Sequence, residues 1–198
     1  SIKDLIKNEA VVITISHLGY IKRTSATEYR QQRRGGRGSI GGRTREEDFI
    51  EHLFVASTHH TLLFFTEKGR CYWLHVYEIP EGDKTGKGRA MQNLIQIPPD
   101  DKVRAIIDVQ DLADEEFVKS HHIVLCTKNG IIKKTDLKDF SRVRQTGINA
   151  INILEGDQLI QARLTDGNCE IMMAVRSGRA IRFPESKVRS TGRGGIGV

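Results

Sequence analysis

Val11-Val12-Ile13-Thr14-Ile15-Ser16-His17-Leu18-Gly19-Tyr20-Ile21-Lys22 sets the grammar of this chain: an apolar run, a short polar turn closed by glycine, then a second run. β-branched residues suit a pleated, half-buried strand, and glycine supplies the positive φ of a tight hairpin turn. The same grammar returns at Leu62-Leu63-Phe64-Phe65-Thr66-Glu67-Lys68-Gly69-Arg70-Cys71-Tyr72-Trp73, at Ile123-Val124-Leu125-Cys126-Thr127-Lys128-Asn129-Gly130-Ile131-Ile132-Lys133, and at Ile171-Met172-Met173-Ala174-Val175-Arg176-Ser177-Gly178-Arg179-Ala180-Ile181-Arg182. Each reads as a β-hairpin. The hairpin glycines stand 50, 61 and 48 residues apart, and the longest interval holds an acidic insert, 110–120, suited to a short helix.

Two fixed offsets support the repeat. Seventeen residues after each hairpin glycine comes another glycine: Gly36, Gly86, Gly147 and Gly195. Ten residues after it comes an apolar side chain: Tyr29, Ile79, Phe140 and Val188. Further strand-like runs at 49–56, 91–97 with 103–109, and 148–154 with 159–164 give each repeat about four strands, the content of a propeller blade. Helical periodicity is nearly absent. The fold expected is all-β and propeller-like, about four blades in a single domain over 1–198, with repeats near 1–47, 48–97, 98–154 and 155–198. Because Gly195-Ile196-Gly197-Val198 falls where a further strand should start, a longer parent is expected.

With 198 residues, 38% hydrophobic and 28% charged, the chain can bury a core and is not a disordered tail. No run approaches the ~20 apolar residues that span a bilayer, so no membrane association is expected. Cys71, Cys126 and Cys169 are odd in number and lack a C-x-x-C pair, which fits free buried thiols in a reducing compartment. The first residue is Ser and no signal peptide follows, so the expectation is a piece of a cytoplasmic protein.

The formal net charge is +6, and its distribution matters more than its size. The arcs 19–38, 69–88, 130–149 and 178–197 carry +5, 0, +3 and +4, leaving −6 on the rest. Equivalent positions of a radial repeat share a rim, and a basic rim is a track for a long polyanion such as duplex DNA. A single basic loop reads more simply as a solvated face; three in register favour the track. The candidate contacts are Lys133, Lys134, Arg142 and Arg144 in the third arc and Arg179, Arg182, Arg189 and Arg193 in the fourth. Bases should not be read, since no recognition helix is visible and phosphates carry no sequence information.

The sharpest segment is Gln32-Arg33-Arg34-Gly35-Gly36-Arg37-Gly38, with Arg30 before it and Arg43 and Arg45 after it. Glycines let backbone N–H groups approach phosphate closely, and arginines add bidentate forks. A flexible RGG-like tract is the plainer alternative. The seven residues resemble, at every position, the Q-R-R-G-G-K/R-G box of the DNA gyrase A C-terminal domain, the DNA-wrapping part of a type II topoisomerase. The flanks are similar too, at residues 12–22 ahead of the box and at Glu46-Glu47-Asp48-Phe49-Ile50 behind it. The resemblance implies a β-pinwheel, a propeller-like fold whose blades exchange strands, with DNA wrapped around its rim so that gyrase can use ATP to introduce negative supercoils. It assigns the wrap-specific element to Gln32, Arg33, Arg34, Gly35, Gly36, Arg37 and Gly38. It also implies the rest of gyrase A, together with gyrase B, as partners, and a monomeric fragment without catalytic groups or cofactor.

Other motifs fail on context. Gly36-Arg37-Gly38-Ser39-Ile40-Gly41 is a literal G-x-G-x-x-G, but no buried strand precedes it. Gly82-Asp83-Lys84-Thr85-Gly86-Lys87-Gly88 is one residue short of a nucleotide phosphate loop and lacks the terminal hydroxyl. His59-His60 and His121-His122 would point to opposite faces of a strand, so no metal site is expected. Tyr29 occupies a packing register, and the family's covalent tyrosine lies in another region. Three rivals stand beside the gyrase reading. One is the corresponding domain of topoisomerase IV, in which the box is degenerate or absent. The others are a protein-binding propeller scaffold and a propeller enzyme.

Overall fold

The hairpins form where glycine turns meet apolar runs. In the computed structural model, which describes residues 1–34, 47–82, 86–174 and 178–198 (backbone alone for 32–34), Gly19, Gly69, Gly130 and Gly178 all hold positive φ, 81–89°. They join β1 (Ala10–Ser16) to β2 (Tyr20–Ser25) and β4 (Thr61–Thr66) to β5 (Arg70–His75). They also join β8 (His122–Thr127) to β9 (Ile132–Asp136) and β12 (Glu170–Ala174) to β13 (Ala180–Pro184). Between the hairpins lie β3 (Ile50–Ser57), β6 (Arg89–Ala90), β7 (Val103–Val109), β10 (Ile148–Asn149) and β11 (Leu159–Thr165). The fold is all-β and propeller-like, as expected.

Strand exchange is visible in the pairing. The first sheet runs β3-β1-β2-β6, so β6, twenty residues beyond the second hairpin glycine, completes the sheet of the first hairpin. The second runs β10-β5-β4-β7, again borrowing its short strand from the following repeat. The third, β11-β8-β9, is extended by Val198, which exchanges both backbone hydrogen bonds with Ile132 (2.7 and 2.9 Å). Described residues of the fourth sheet are the β12–β13 hairpin alone.

Two compact units emerge, Ser1–Leu62 with Leu74–Ile97, and Leu63–Trp73 with Pro98–Val198. The first buries Val11, Ile13, Ile15 and Ile21 from its central hairpin. In the second, Leu63, Phe65 and Trp73 pack with Ile107, Leu125, Phe140 and Leu159, and Phe65 meets Phe140 edge-on at 5.7 Å.

Three expectations need correction. Helix is not absent from the repeat: Ala26–Arg34 forms α1, and its last residues are Gln32, Arg33 and Arg34 of the box. Ser25 caps it by accepting from the Glu28 amide, so Ser25-Ala26-Thr27-Glu28 carried a readable S-x-x-E start signal. Residues 91–97 are not a strand: Met91–Asn93 is a 3-10 turn. The run at 148–154 keeps only two residues as strand, β10. The acidic insert does form a helix, α2 (Glu115–Ser120), capped by Asp114 through the Glu116 and Phe117 amides.

Candidate nucleic-acid interface

Each arc leaves its hairpin through a tight turn that starts seven residues after the hairpin glycine. It is α1 in the first repeat and a 3-10 turn at Val76–Glu78, Leu137–Phe140 and Glu185–Lys187 in the others. The apolar register ten residues after the glycine anchors the arc: Ile79 and Phe140 are fully buried, Val188 nearly so, Tyr29 half-buried.

The second, third and fourth arcs then cross to the preceding hairpin, whose second strand holds each at successive positions. The residue four beyond the hairpin glycine donates sideways: Arg23 Nε to the Ile79 carbonyl (2.6 Å) and Trp73 Nε1 to the Phe140 carbonyl (3.0 Å). The residue three beyond meets the glycine of the seventeen-residue register. Lys22 Nζ donates to the Gly86 carbonyl (2.7 Å) and Lys133 Nζ to the Gly195 carbonyl (3.0 Å). Tyr72 lies where a Cβ on Gly147 would sit, 2.6 Å from its Cε1. The glycine register therefore has a physical origin, close approach to a neighbouring hairpin. Gly88, Gly147 and Gly197 add positive φ (75–92°) just before the exchanged residues pair.

This crossing corrects two assignments. Lys133 and Lys134, read as phosphate contacts, are 1% and 7% exposed. Lys133 also donates to the Ala150 carbonyl (3.2 Å), and burial, then Arg193, brings its pKa down to about 8. Lys134 Nζ pairs with Glu185 Oε2 at 2.8 Å, and Glu185 is itself fully buried. Burial pushes the Glu185 carboxyl up, but bonds from Lys134, Thr165 and the Cys169 amide outweigh it and hold it below the usual glutamate range. Both lysines alternate into the interior because β9 packs on both faces; neither is available to a polyanion.

The other described candidates reach the surface, Arg193 only in part. Arg30 is exposed on α1. Arg142 and Arg144 are exposed on the loop before β10, and Arg179 and Arg189 are exposed in the fourth repeat. Arg182 is exposed on β13 and paired with Glu170. Arg193 is half-buried and donates to the Asn149 carbonyl (3.4 Å), so the third and fourth arcs meet there. Arg193, Gly194, Asn149 and Asp139 line an open cleft of about 480 Å³. The side chains of Gln32, Arg33 and Arg34, and all of Gly35, Gly36, Arg37, Gly38, Arg43 and Arg45, lie outside the described residues. Lys87, exposed and 4.6 Å over the Tyr20 ring, is a basic arc residue that the weaker second arc had concealed.

Groups that could do other chemistry are engaged structurally. His59 bonds the Ile6 carbonyl (2.6 Å), and His121 stacks on Phe117 at 3.9 Å. His122 lies 3.5 Å from Asp136, its pKa lowered by burial and then by Lys134. Asp166, Cys169 and Glu185 converge within 4.8 Å, but Glu185 is spent on Lys134 and on the amides of Gly167 and Cys169. Among the described residues, no helix is long and apolar enough to cross a membrane.

The family model described as "DNA gyrase C-terminal domain, beta-propeller" matches residues 10–57, 60–110, 121–166 and 170–198, one hairpin in each segment. The chain belongs to this family. The DNA gyrase A protein of Clostridium acetobutylicum is 45% identical over 197 residues, and that of Halalkalibacterium halodurans 48% over 196. These matches cover 100% and 99% of this chain but 23% of each relative, so it spans about a quarter of their length. A solved C-terminal domain of DNA topoisomerase IV superposes with a TM-score of 0.77 at 28% identity, covering 98% of this chain and 57% of that one. A solved DNA gyrase A C-terminal domain superposes at 0.72 with 24% identity, over 96% of this chain and 59% of that one, which speaks to the fold alone. The gyrase C-terminal domain family thus accounts for the four repeats of this chain.

Proposed function

We propose that this chain is a non-catalytic domain that binds, bends and wraps duplex DNA along its basic arcs, so that a gyrase can introduce negative supercoils in an ATP-dependent reaction. The observation that carries the reading is the complete box from Gln32 to Gly38, on a repeat whose later arcs expose Arg142, Arg144 and Arg189. Phosphate neutralisation by arginine supplies affinity, and that affinity meets the energy of bending the duplex. The rest of gyrase A, together with gyrase B, forms its set of partners, and cleavage and ATP hydrolysis belong to those parts. The domain works as a monomer in the cytoplasm without a cofactor.

The corresponding topoisomerase IV domain is the alternative with an observation behind it, the 0.77 superposition. The two share a fold, so the intact box and the 45–48% identity to gyrase A proteins favour gyrase. The test is fluorescence anisotropy over a salt series on a duplex of roughly 40 bp, short against the ~150 bp persistence length, labelled at both ends to report bending. Binding should weaken steeply with salt and the ends should approach. Replacing Arg33, Arg34 and Arg37 by Ala should remove the bend and part of the salt slope. Salt-insensitive binding, or bending indifferent to those arginines, overturns the reading.

A further inference from the structure

We propose that Lys133 is a positioning residue: its side-chain nitrogen clasps the strap of the following repeat, tying the Gly195 carbonyl to that of Ala150 and so seating the strap that carries Arg189 and Arg193. The consequence for DNA rests on the function proposed above; the clasp itself does not.

Geometry supports the assignment from two sides. Lys133 has 1% exposure, and its two acceptors lie at 3.0 and 3.2 Å on two different arcs. The same position does the same work in the first repeat, where Lys22 reaches Gly86. Among the described residues the strap is also held by the Thr191 amide to Lys134 O (2.8 Å), by Val198 paired with Ile132, by Arg193 to Asn149 O (3.4 Å), and by Asn152, whose amide and side chain donate to Gly195 O (3.1 Å) and Gly194 O (2.7 Å). A buried amino group shared by two arcs is therefore placed to decide whether the strap is seated.

The charged groups facing it are Arg193 from the strap, which repels it, and Asp139 from the turn below, which attracts it. Seated, Lys133 titrates near 8; released into water, near 10.5. The seated form thus holds fewer protons between those values, and seating becomes more favourable as pH rises through 8. The neutral amine still has N–H groups for both carbonyls.

The test is hydrogen exchange at the amides of Val198 and Asn152 in the 198-residue chain, corrected for intrinsic base catalysis. In the wild type, strap opening should fall about tenfold between pH 7 and 9. Lys133→Met should exchange faster at pH 9 and lose the pH dependence. Asn152→Ala, which keeps the lysine, should open more readily yet retain it. A flat wild-type profile overturns the clasp without reference to any variant. In parallel duplex titrations, a Lys133→Met salt slope smaller by about 0.9 with strap exchange unchanged would make Lys133 a phosphate contact and also overturn it. A strap that responds to pH in a chain that binds no duplex leaves the clasp standing and removes the DNA function.

Discussion

Lys133 with Lys134 and Arg142 with Arg144 belong to one arc, count equally toward its charge, and have opposite fates. The lysines sit on β9, where both faces are covered, and spend their charge on carbonyls and a buried glutamate. The arginines sit on the loop beyond Phe140, where both are exposed. Charge in a repeat therefore divides into charge that holds blades together and charge that faces outward. Only the second kind is available to a polyanion. The same division runs through the first hairpin, where Lys22 and Arg23 are spent on Gly86 and Ile79.

The largest effect that separates the two kinds should come from Glu185→Gln. The side chains of Lys134 and Glu185 are 8% and 0% exposed, and removing one partner of a buried pair leaves the other uncompensated, at a cost of about 3–5 kcal/mol in urea unfolding. A loss below about 1 kcal/mol would place the pair in effective contact with water and undo the comparison.

Next comes the titration of Lys133. Its folded pKa, about 8, is below the 10.5 of an unfolded lysine, so the unfolded chain binds more protons between those values and stability rises with pH across that window. Wild type should gain up to ~3 kcal/mol relative to Lys133→Met from pH 8 to 10.5, read from denaturant midpoints at each pH. A constant difference between the two proteins would mean the ammonium is hydrated.

A glycine pair probes the equivalent crossing one repeat earlier, where the third arc meets the second hairpin. Gly147→Ala must hold φ +75° with its Cβ 2.6 Å from Tyr72, and should cost about 2–3 kcal/mol. Gly130→Ala has the same backbone demand at φ +88° but open space around it, and should cost about 1 kcal/mol. Equal losses in thermal unfolding would show that close packing on Tyr72 contributes nothing.

The smallest stability effect belongs to the exposed pair. Arg142→Ala with Arg144→Ala should change unfolding by no more than ~0.5 kcal/mol, yet lower the slope of log affinity against log salt on duplex DNA by roughly 2. Destabilisation without a change in slope would reverse the assignment of inner and outer charge.

Much of the fold was legible because hairpin signals are local. An apolar run, a polar turn and a glycine located β1 and β2, β4 and β5, and β8 and β9, and the run at 103–109 is β7. The candidate site was legible only in part. Arg142, Arg144 and Arg189 are exposed as a rim requires, while Lys133 and Lys134 look identical to them in sequence. The glycine register was visible as a repeat, but its cause lay in another hairpin. The helix α1 was missed because it is short and mostly polar, although Ser25 and Glu28 mark its start.

Sequence alone determined the repeat, its glycine turns, the net basic arcs and the family, because each depends on residues close together in the chain or on a contiguous motif. Tertiary structure decided which strand completes which sheet, with β6, β10 and Val198 crossing to a preceding hairpin. It also decided which cations are buried. Those outcomes depend on what the exchanged strap covers, and a lysine carries no mark of whether its far end will meet water or a carbonyl.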